Sequence, residues 1–278
     1  MRPALTVFAL LSLGGLSVGC ASDGGSPSPQ PVQRAAEPPR KVEPPKPTQP
    51  TVTPEFLARL DAGFVWVPNG TLPARWRTNE RKDPEAKVQG LWLAKYEVTQ
   101  REWQTVMGDN PSQQTGDPEL PVTNVSWHDA KAFIERLNKA KGSKVYRLPS
   151  AREWESGCRA GVTTLVIPNQ AKEESLSQLA WWGKNSGGVM HPVGKLKPNA
   201  FGLHDMLGNI AEWCEDAQDP PQKDILRVHA GGHFSDLNMV GQNCSTTAWM
   251  GEDGRERWTG FRLAKDGPPP APKAKPKG

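Results

Sequence analysis

The stretch NAFGLHDMLGNIAEWCED, residues 199–216, is the densest polar segment of the chain. Gly202 and Gly208 allow tight turns there, and Asp205, Asn209 and Glu212 crowd one short arc. Side-chain and backbone oxygens at this spacing suit a hard cation such as calcium, which takes roughly six to eight oxygen ligands. The competing reading has Asp205 and Asn209 capping turns while Glu212 sits in a buried ion pair. On spacing alone the second reading holds, because the arc shows too few ligands for calcium. Cys214 follows Trp213, a place where a small buried thiol is ordinary.

Downstream lies RVHAGGHFSDLNMVGQNC, residues 227–244. His229 and His233 are four apart, a metal-ligand spacing on a helix, and Asp236 adds an oxygen. The preceding residues read as a strand, however, where positions four apart share a face at about 13 Å. A shared metal at His229, His233 and Asp236 then needs a sharp turn at Gly231-Gly232. Histidines that are hydrogen-bonded or at the surface are the simpler reading. A Cys–His catalytic pair would need a thiol of lowered pKa beside a base, and neither Cys158 nor Cys214 sits in such a pattern. No phosphate loop, HExxH, CxxC or Ser-His-Asp order is present.

Upstream, three segments carry a capping-box signal: Thr99 with Glu102, Ser126 with Asp129, and Ser150 with Glu153. The second is the clearest helix. Ala130, Phe133, Ile134 and Leu137 fall on one stripe, and Gly142 ends it. Trp103, Val106 and Met107 face inward on the first, which stops at Gly108. FVWVP, LWLAKYEV, KVYRLP, ILRVHAGG and GFRLAK read as strands of about 5 residues. Few helices, short strands and long glycine-containing connections predict an irregular, loop-rich α+β domain. Many tryptophans can hold such a body together.

The two ends read differently. MRPALTVFALLSLGGLSVGC, residues 1–20, has one arginine, an apolar run and small residues before Cys20. It reads as a secretory signal, too short to span a bilayer. A cysteine at the cleavage point suggests a bacterial lipoprotein acylated on Cys20; ordinary cleavage to a soluble exported protein is the alternative, since Ser17 stands where an aliphatic residue is usual. Residues 21–54 hold ten prolines and almost no large apolar side chains, so they read as a disordered tether. Residues 265–278 read as a Pro/Lys tail of the same kind. All eleven tryptophans lie between Trp66 and Trp258, which puts the folded domain at residues 55–264. Removing Arg2 (+1), the tether (+1) and the tail (+3) from the net charge of +4 leaves the domain at −1. A basic face for nucleic acid is therefore excluded as a reading. In an oxidising compartment two of Cys158, Cys214 and Cys244 can pair, with three pairings open.

In order along the chain, EVTQREW, PVTNVSWHDAKAF, YRLPSAREWESGCRAG, HPVGKLKPNAFGLHDMLGNIAEWCED, RVHAGG and GFRLA resemble the formylglycine-generating enzyme, or sulfatase-modifying factor, family over nearly the whole domain. The resemblance implies a fold related to C-type lectins. It implies oxidation of a client sulfatase cysteine by copper(I) on two thiolates, a soft ligand pair suited to that metal. The positions matching those cysteines are Asp236 and Gly241 here, so a bound copper is not expected. The resemblance also implies a disulfide between Cys214 and Cys244, and a structural calcium on Asp205, the Gly208 and Ile210 carbonyls, and Glu212. Ala211 and Ser245 depart from the usual residues.

The leading expectation is a non-catalytic binding module, anchored to a membrane through Cys20 and presenting a lectin-like surface to a protein or glycan in the cell envelope. The alternatives are an active oxidase of the family using other ligands, and an envelope-assembly lipoprotein.

Overall fold

The computed structural model describes residues 52–76, 82–162, 173–217, 225–237 and 243–271. The signal segment, Cys20, nearly all of the tether, and Gly241 lie outside them. No described helix is long and apolar enough to cross a membrane.

The chain enters through α1 (Pro54–Ala62), β1 (Phe64–Val67), β2 (Gly70–Leu72), β3 (Arg75–Trp76), β4 (Lys82–Asp83), β5 (Ala86–Val88) and β6 (Leu91–Ala94). It continues through α2 (Gln100–Met107), α3 (Trp127–Lys141), β7 (Tyr146–Arg147), α4 (Ala151–Arg159), α5 (Glu173–Leu176) and β8 (Ala180–Trp181). The last part holds β9 (Leu207–Gly208), β10 (Ala211–Ala217), β11 (Leu226–Ala230), β12 (Thr247–Gly251), β13 (Thr259–Gly260) and β14 (Ala264–Lys265). The mixture is α+β with short strands and long connections, as expected.

Two four-stranded sheets frame the body, in the orders β1-β6-β14-β7 and β12-β11-β10-β13. Pairing is antiparallel apart from β10 with β13 and, in a small separate sheet, β8 with β9. All three capping boxes form: Thr99, Ser126 and Ser150 accept from the third backbone N–H, and Glu102, Asp129 and Glu153 reach back. Gly108 and Gly142 end α2 and α3 in the left-handed region, which costs glycine little.

The stripe on α3 does what its spacing requires. Ala130, Phe133, Ile134 and Leu137 are all buried. Phe133 stacks on Trp103 of α2 at 5.5 Å and meets Phe261 edge-on at 5.4 Å. Removing such an aromatic side chain costs about 3–5 kcal/mol. A second apolar cluster gathers Trp154 and Cys158 of α4 with Trp182, Cys214, Val228 and Cys244.

Both expected domain edges move outward. Thr53 caps α1 by accepting from Phe56 N, with Pro54 in the first turn, so the fold begins inside the expected tether. Lys265, assigned to the tail, pairs in β14 with Trp92 and Tyr146, and its Nζ lies 2.7 Å from Asp61 Oδ1. Asp266 is ion-paired to Arg147. The proline and lysine content hid both edges; the Thr53 cap is local, whereas the Lys265 and Asp266 contacts need partners distant in sequence.

Candidate functional site

Strand β11 leads into the turn that carries the expected metal positions. Gly231 has φ +101°, and a Cβ there would lie 3.2 Å from Trp154 Cζ2 and 3.3 Å from the Met206 carbonyl oxygen. Its own carbonyl accepts from Gly208 N at 2.8 Å. The glycine is thus demanded by packing against the 199–216 arc. Gly208 is more constrained: at φ +70°, a Cβ would fall 2.1 Å from the Trp181 carbonyl oxygen.

Beyond the glycines the chain closes on itself. Asp236 Oδ2 accepts from His233 N at 2.9 Å, and Oδ1 lies 3.1 Å from His233 Nε2. Ser235 N donates to His233 Nδ1 at 3.2 Å, which makes Nε2 the protonated nitrogen of the neutral ring. The ring stacks on Trp258 at 4.8 Å. Burial lowers the His233 pKa against the pull of Asp236, so the neutral form is favoured. His229 packs edge-on against Trp213 at 5.7 Å, and burial lowers its pKa as well.

The expected alternative metal set of His229, His233 and Asp236 is therefore corrected. Among the described residues no three such side chains converge to hold an ion. Both nitrogens of His233 are engaged within the loop, and His229 is packed on an indole. Asp236 holds the turn to His233.

The 205–212 arc folds inward. Glu212 is fully buried, and its two oxygens accept from Arg262 Nε and Nη2, each at 2.6 Å. Trp154 Nε1 adds a third hydrogen bond at 2.7 Å. Arg262 also donates to the carbonyls of Ala94, Lys95 and His204. Burial alone would weaken its charge, but Glu212, Glu97 and Asp205 keep it protonated. The ion-pair reading of Glu212 thus matches its geometry.

Two further acids share this cluster. Glu97 and Asp205 are 1% and 2% exposed. Glu97 Oε2 and Asp205 Oδ1 are buried and have no hydrogen-bond partner. Burial, then the neighbouring Asp205 charge, pushes the Glu97 carboxyl well above the usual range. Burial raises Asp205 too, against the Gly194 N–H that Oδ2 accepts at 2.7 Å. As a test of the implied calcium, these two bare oxygens are of the hard kind that ion binds. The Glu212 oxygens are not available in the same way, since Arg262 and Trp154 occupy them.

Asn209 joins the turn to this cluster. It is fully buried in the left-handed region at φ +50°, which asparagine tolerates. Its Nδ2 donates to Glu97 Oε1 at 3.0 Å and to the His191 carbonyl, and Oδ1 accepts from His191 N. Its backbone N–H donates to Trp181 O, and its carbonyl accepts from Phe234 N. One residue therefore ties together four distant segments.

The cysteines depart from expectation. The disulfide joins Cys158 to Cys244, with Cα atoms 5.6 Å apart, and Cys214 is free. All three lie in one apolar cluster, so Cys214 and Cys244 share a cluster without pairing. The end of α4 brings Cys158 to Cys244, while Cys214 is held within β10, where its carbonyl accepts from Trp127 Nε1. Burial, with Asp216 and Glu212 adding to it, raises the Cys214 thiol well above its ordinary pKa. A thiol so held is a poor thiolate donor to a metal.

Glu97 and Arg262 were missed as site residues, and Asn209 was read only as part of the arc or a turn cap. Glu97 and Arg262 stood inside quoted motifs, EVTQREW and GFRLA. A charged residue flanked by apolar ones was the available signal for Glu97 and Arg262.

Residues 50–267 match the model of the sulfatase-modifying factor enzyme 1-like domain. The chain is 28% identical over 201 residues to "Chaperone protein LppX" of Paenibacillus barcinonensis, covering 54% of this chain and 71% of that one. It is 28% identical over 189 residues to the formylglycine-generating enzyme of Thermomonospora curvata, with 56% and 58% covered. A third relative is the inactive C-alpha-formylglycine-generating enzyme 2 of Mus musculus, 31% identical over 159 residues, with 52% and 49% covered. The chain thus spans about half to 58% of the latter two. Among solved structures, Treponema denticola variable protein 1 aligns with TM-score 0.64 and 25% identity over 73% of this chain and 94% of that one. PvdO from Pseudomonas aeruginosa aligns with TM-score 0.61 and 24% identity, covering 73% and 94%.

Proposed function

The chain belongs to the sulfatase-modifying factor family, and we propose that within it this domain is a non-catalytic binding module of the bacterial cell envelope. One observation carries the reading. The positions matching the family's two copper-binding cysteines are Asp236 and Gly241, and Asp236 is bound to His233 in a closed turn. Copper(I) selects soft thiolates, and a carboxylate is a hard ligand. The cysteines of the folded domain offer no substitute: Cys158 and Cys244 are joined, and Cys214 is buried with a raised pKa.

The N-terminal pattern ending at Cys20 supports export and a lipid anchor, with the proline-rich segment as a stalk. Similarity to a protein named as a chaperone favours a protein partner over a glycan. The inactive mammalian relative is a precedent for the family fold kept without its chemistry. We further propose a calcium ion on the 205–212 arc, with Asp205 and the Gly208 and Ile210 carbonyls as ligands. Glu97 would take the place expected of Glu212. A calcium ion there would supply charge balance to the buried carboxylates and no step of a reaction.

The test uses the full chain with copper(I), oxygen and a peptide bearing the sulfatase cysteine motif, beside an active family enzyme in the same buffer. Peptide mass reads the outcome. No conversion is expected; formation of the aldehyde would overturn the reading.

A further inference from the structure

A half-buried aromatic pair and the exposed chain beyond β14 meet at the end of that strand. The Trp66 and Trp92 rings lie 5.6 Å apart, edge to face at 65°. Trp66 covers Gly90, where a Cβ would fall 2.4 Å from its Cζ2, so the absence of a side chain at Gly90 lets the indole lie close. The chain then leaves the sheet along this pair. Arg147 holds Asp266, with Nη2 2.7 Å from Oδ1. The Cβ position of Gly267 lies 3.5 Å from Trp92 Cδ1 and Nε1. Trp92 Nε1 donates to the Pro268 carbonyl at 3.0 Å.

We infer that Trp66 and Trp92 form a recognition surface for proline-rich chain, and that the protein's own tail, from Gly267 to Pro270, is its resident ligand. The chemistry of both sides fits. Three consecutive prolines, Pro268 to Pro270, fix φ near −65° and remove the backbone donors. Such a run is pre-ordered toward polyproline II and presents bare carbonyls, which accept but cannot donate. Its recognition elsewhere uses an aromatic-lined groove, and little conformational entropy is lost on docking. An indole N–H aimed at a prolyl carbonyl, with a second indole edge-on beside it, supplies both the donor and the aromatic wall.

The contact is not needed to close the fold. Residues 266–271 are exposed, whereas β14 is already fixed by its pairing with β6 and β7 and by Lys265 on Asp61. Without the tail, Trp92 would present an indole N–H to solvent at the rim of an aromatic pair.

The experiment keeps the full chain. Pro268, Pro269 and Pro270 are all changed to glycine, which releases the tail without touching Asp266 or β14. A dye-labelled peptide, GPPPAPKAK (the sequence of residues 267–275), is titrated and followed by anisotropy. Saturable binding to the triple-glycine variant is expected. The unmodified chain should need at least tenfold more peptide, because its tethered tail competes at an effective concentration on the order of millimolar. Adding Trp92→Phe to the triple-glycine variant keeps an aromatic ring and removes the donor; binding should weaken at least tenfold, with an unchanged thermal melt. No saturable binding to the triple-glycine variant would overturn the inference, as would equal binding after Trp92→Phe. Tighter binding of a peptide from the tether (PPKPTQP, residues 44–50) would overturn the assignment of the tail as resident ligand.

Discussion

Arg262→Met is the sharpest perturbation of this fold. Arg262 is fully buried and is bonded through two nitrogens to Glu212, with three carbonyls taking its remaining donors. Methionine keeps much of the volume and removes the charge. Three buried acids, Glu212, Glu97 and Asp205, then lose the cation that balances them. Breaking a buried pair by removing one partner costs about 3–5 kcal/mol. For a domain of this size, each kcal/mol moves the melting temperature by about 2–4 °C, so a fall of about 6–20 °C is expected. The pH dependence has a definite sign. Burial raises the folded pKa of Glu97 and Asp205, so the native state binds those protons more tightly than the unfolded chain. Stability from these groups is present below the ordinary carboxyl pKa and is lost as pH rises through the folded value. Arg262 opposes that rise in both groups, so without it the variant should recover stability when pH is lowered from about 7.5 to about 5.5. Urea midpoints at both pH values measure this. Glu212→Gln with Arg262→Met should regain part of the loss, because the carboxylate that Arg262 holds directly is then no longer buried without its partner. A loss under about 1 kcal/mol, or strict additivity in the double variant, would refute the assignment of this pair as the centre of the core.

Other consequences are open to direct measurement. Non-reducing peptide mapping should recover Cys158 joined to Cys244, with Cys214 alkylated only after denaturation; a Cys214–Cys244 peptide would be contrary. Cys244→Ala should cost up to about 4–5 kcal/mol in the loop-entropy account, given the sequence separation of 86. Asn209→Ala should cost about 2–4 kcal/mol, since it strips buried partners from His191 and Glu97; a change within about 0.5 kcal/mol would deny Asn209 its joining role. If calcium sits on Asp205 and Glu97, a chelator should lower the melting temperature, by about 2.7 kcal/mol of linkage at a hundred times Kd. An unchanged melt would remove that proposal, and Glu97→Gln should blunt the calcium effect while Glu212→Gln in the absence of calcium still destabilises.

How much of this was legible depends on the range of the forces involved. The capping boxes at Thr99, Ser126 and Ser150 were readable because each is complete within four residues. So was the α3 stripe, whose period is a property of the helix itself. Thr53-Pro54-Glu55 carried an equally local cap for α1, but it adjoins a proline-rich segment whose composition spoke louder. Strand β10 had no periodic signal. Its first four residues are all buried because β11 and β13 flank it and α4 packs against it. The disulfide was illegible for a different reason. Three cysteines meet in one cluster, and only the packing of α4 decides which two have Cβ atoms that face. For the arc, spacing favoured Glu212 in an ion pair, although it could not name Arg262, fifty residues away. The resemblance gave Glu212 to calcium, and the geometry instead leaves bare oxygens on Glu97 and Asp205.

The turn after β11 owes its shape to the frame behind it. Its conformation is dictated from behind by backbone and apolar contacts. Gly231 must pass within about van der Waals distance of Trp154 and the Met206 carbonyl. Its carbonyl is held by Gly208, and the next segment is held where Asn209 receives Phe234 N. None of these contacts involves the Asp236 side chain. Asp236 can therefore hold His233 without setting the frame, which these contacts fix independently of it. The same logic sorts mutations. Asp236→Asn should leave the melt almost unchanged and loosen His233 alone, whereas Gly208→Ala should unfold the protein, because its Cβ would stand 2.1 Å from a backbone oxygen that cannot move aside. If Asp236→Asn proved as damaging as Gly208→Ala in the same thermal melt, the frame and the replaced site would be one structure, and the separation of scaffold from chemistry would be wrong.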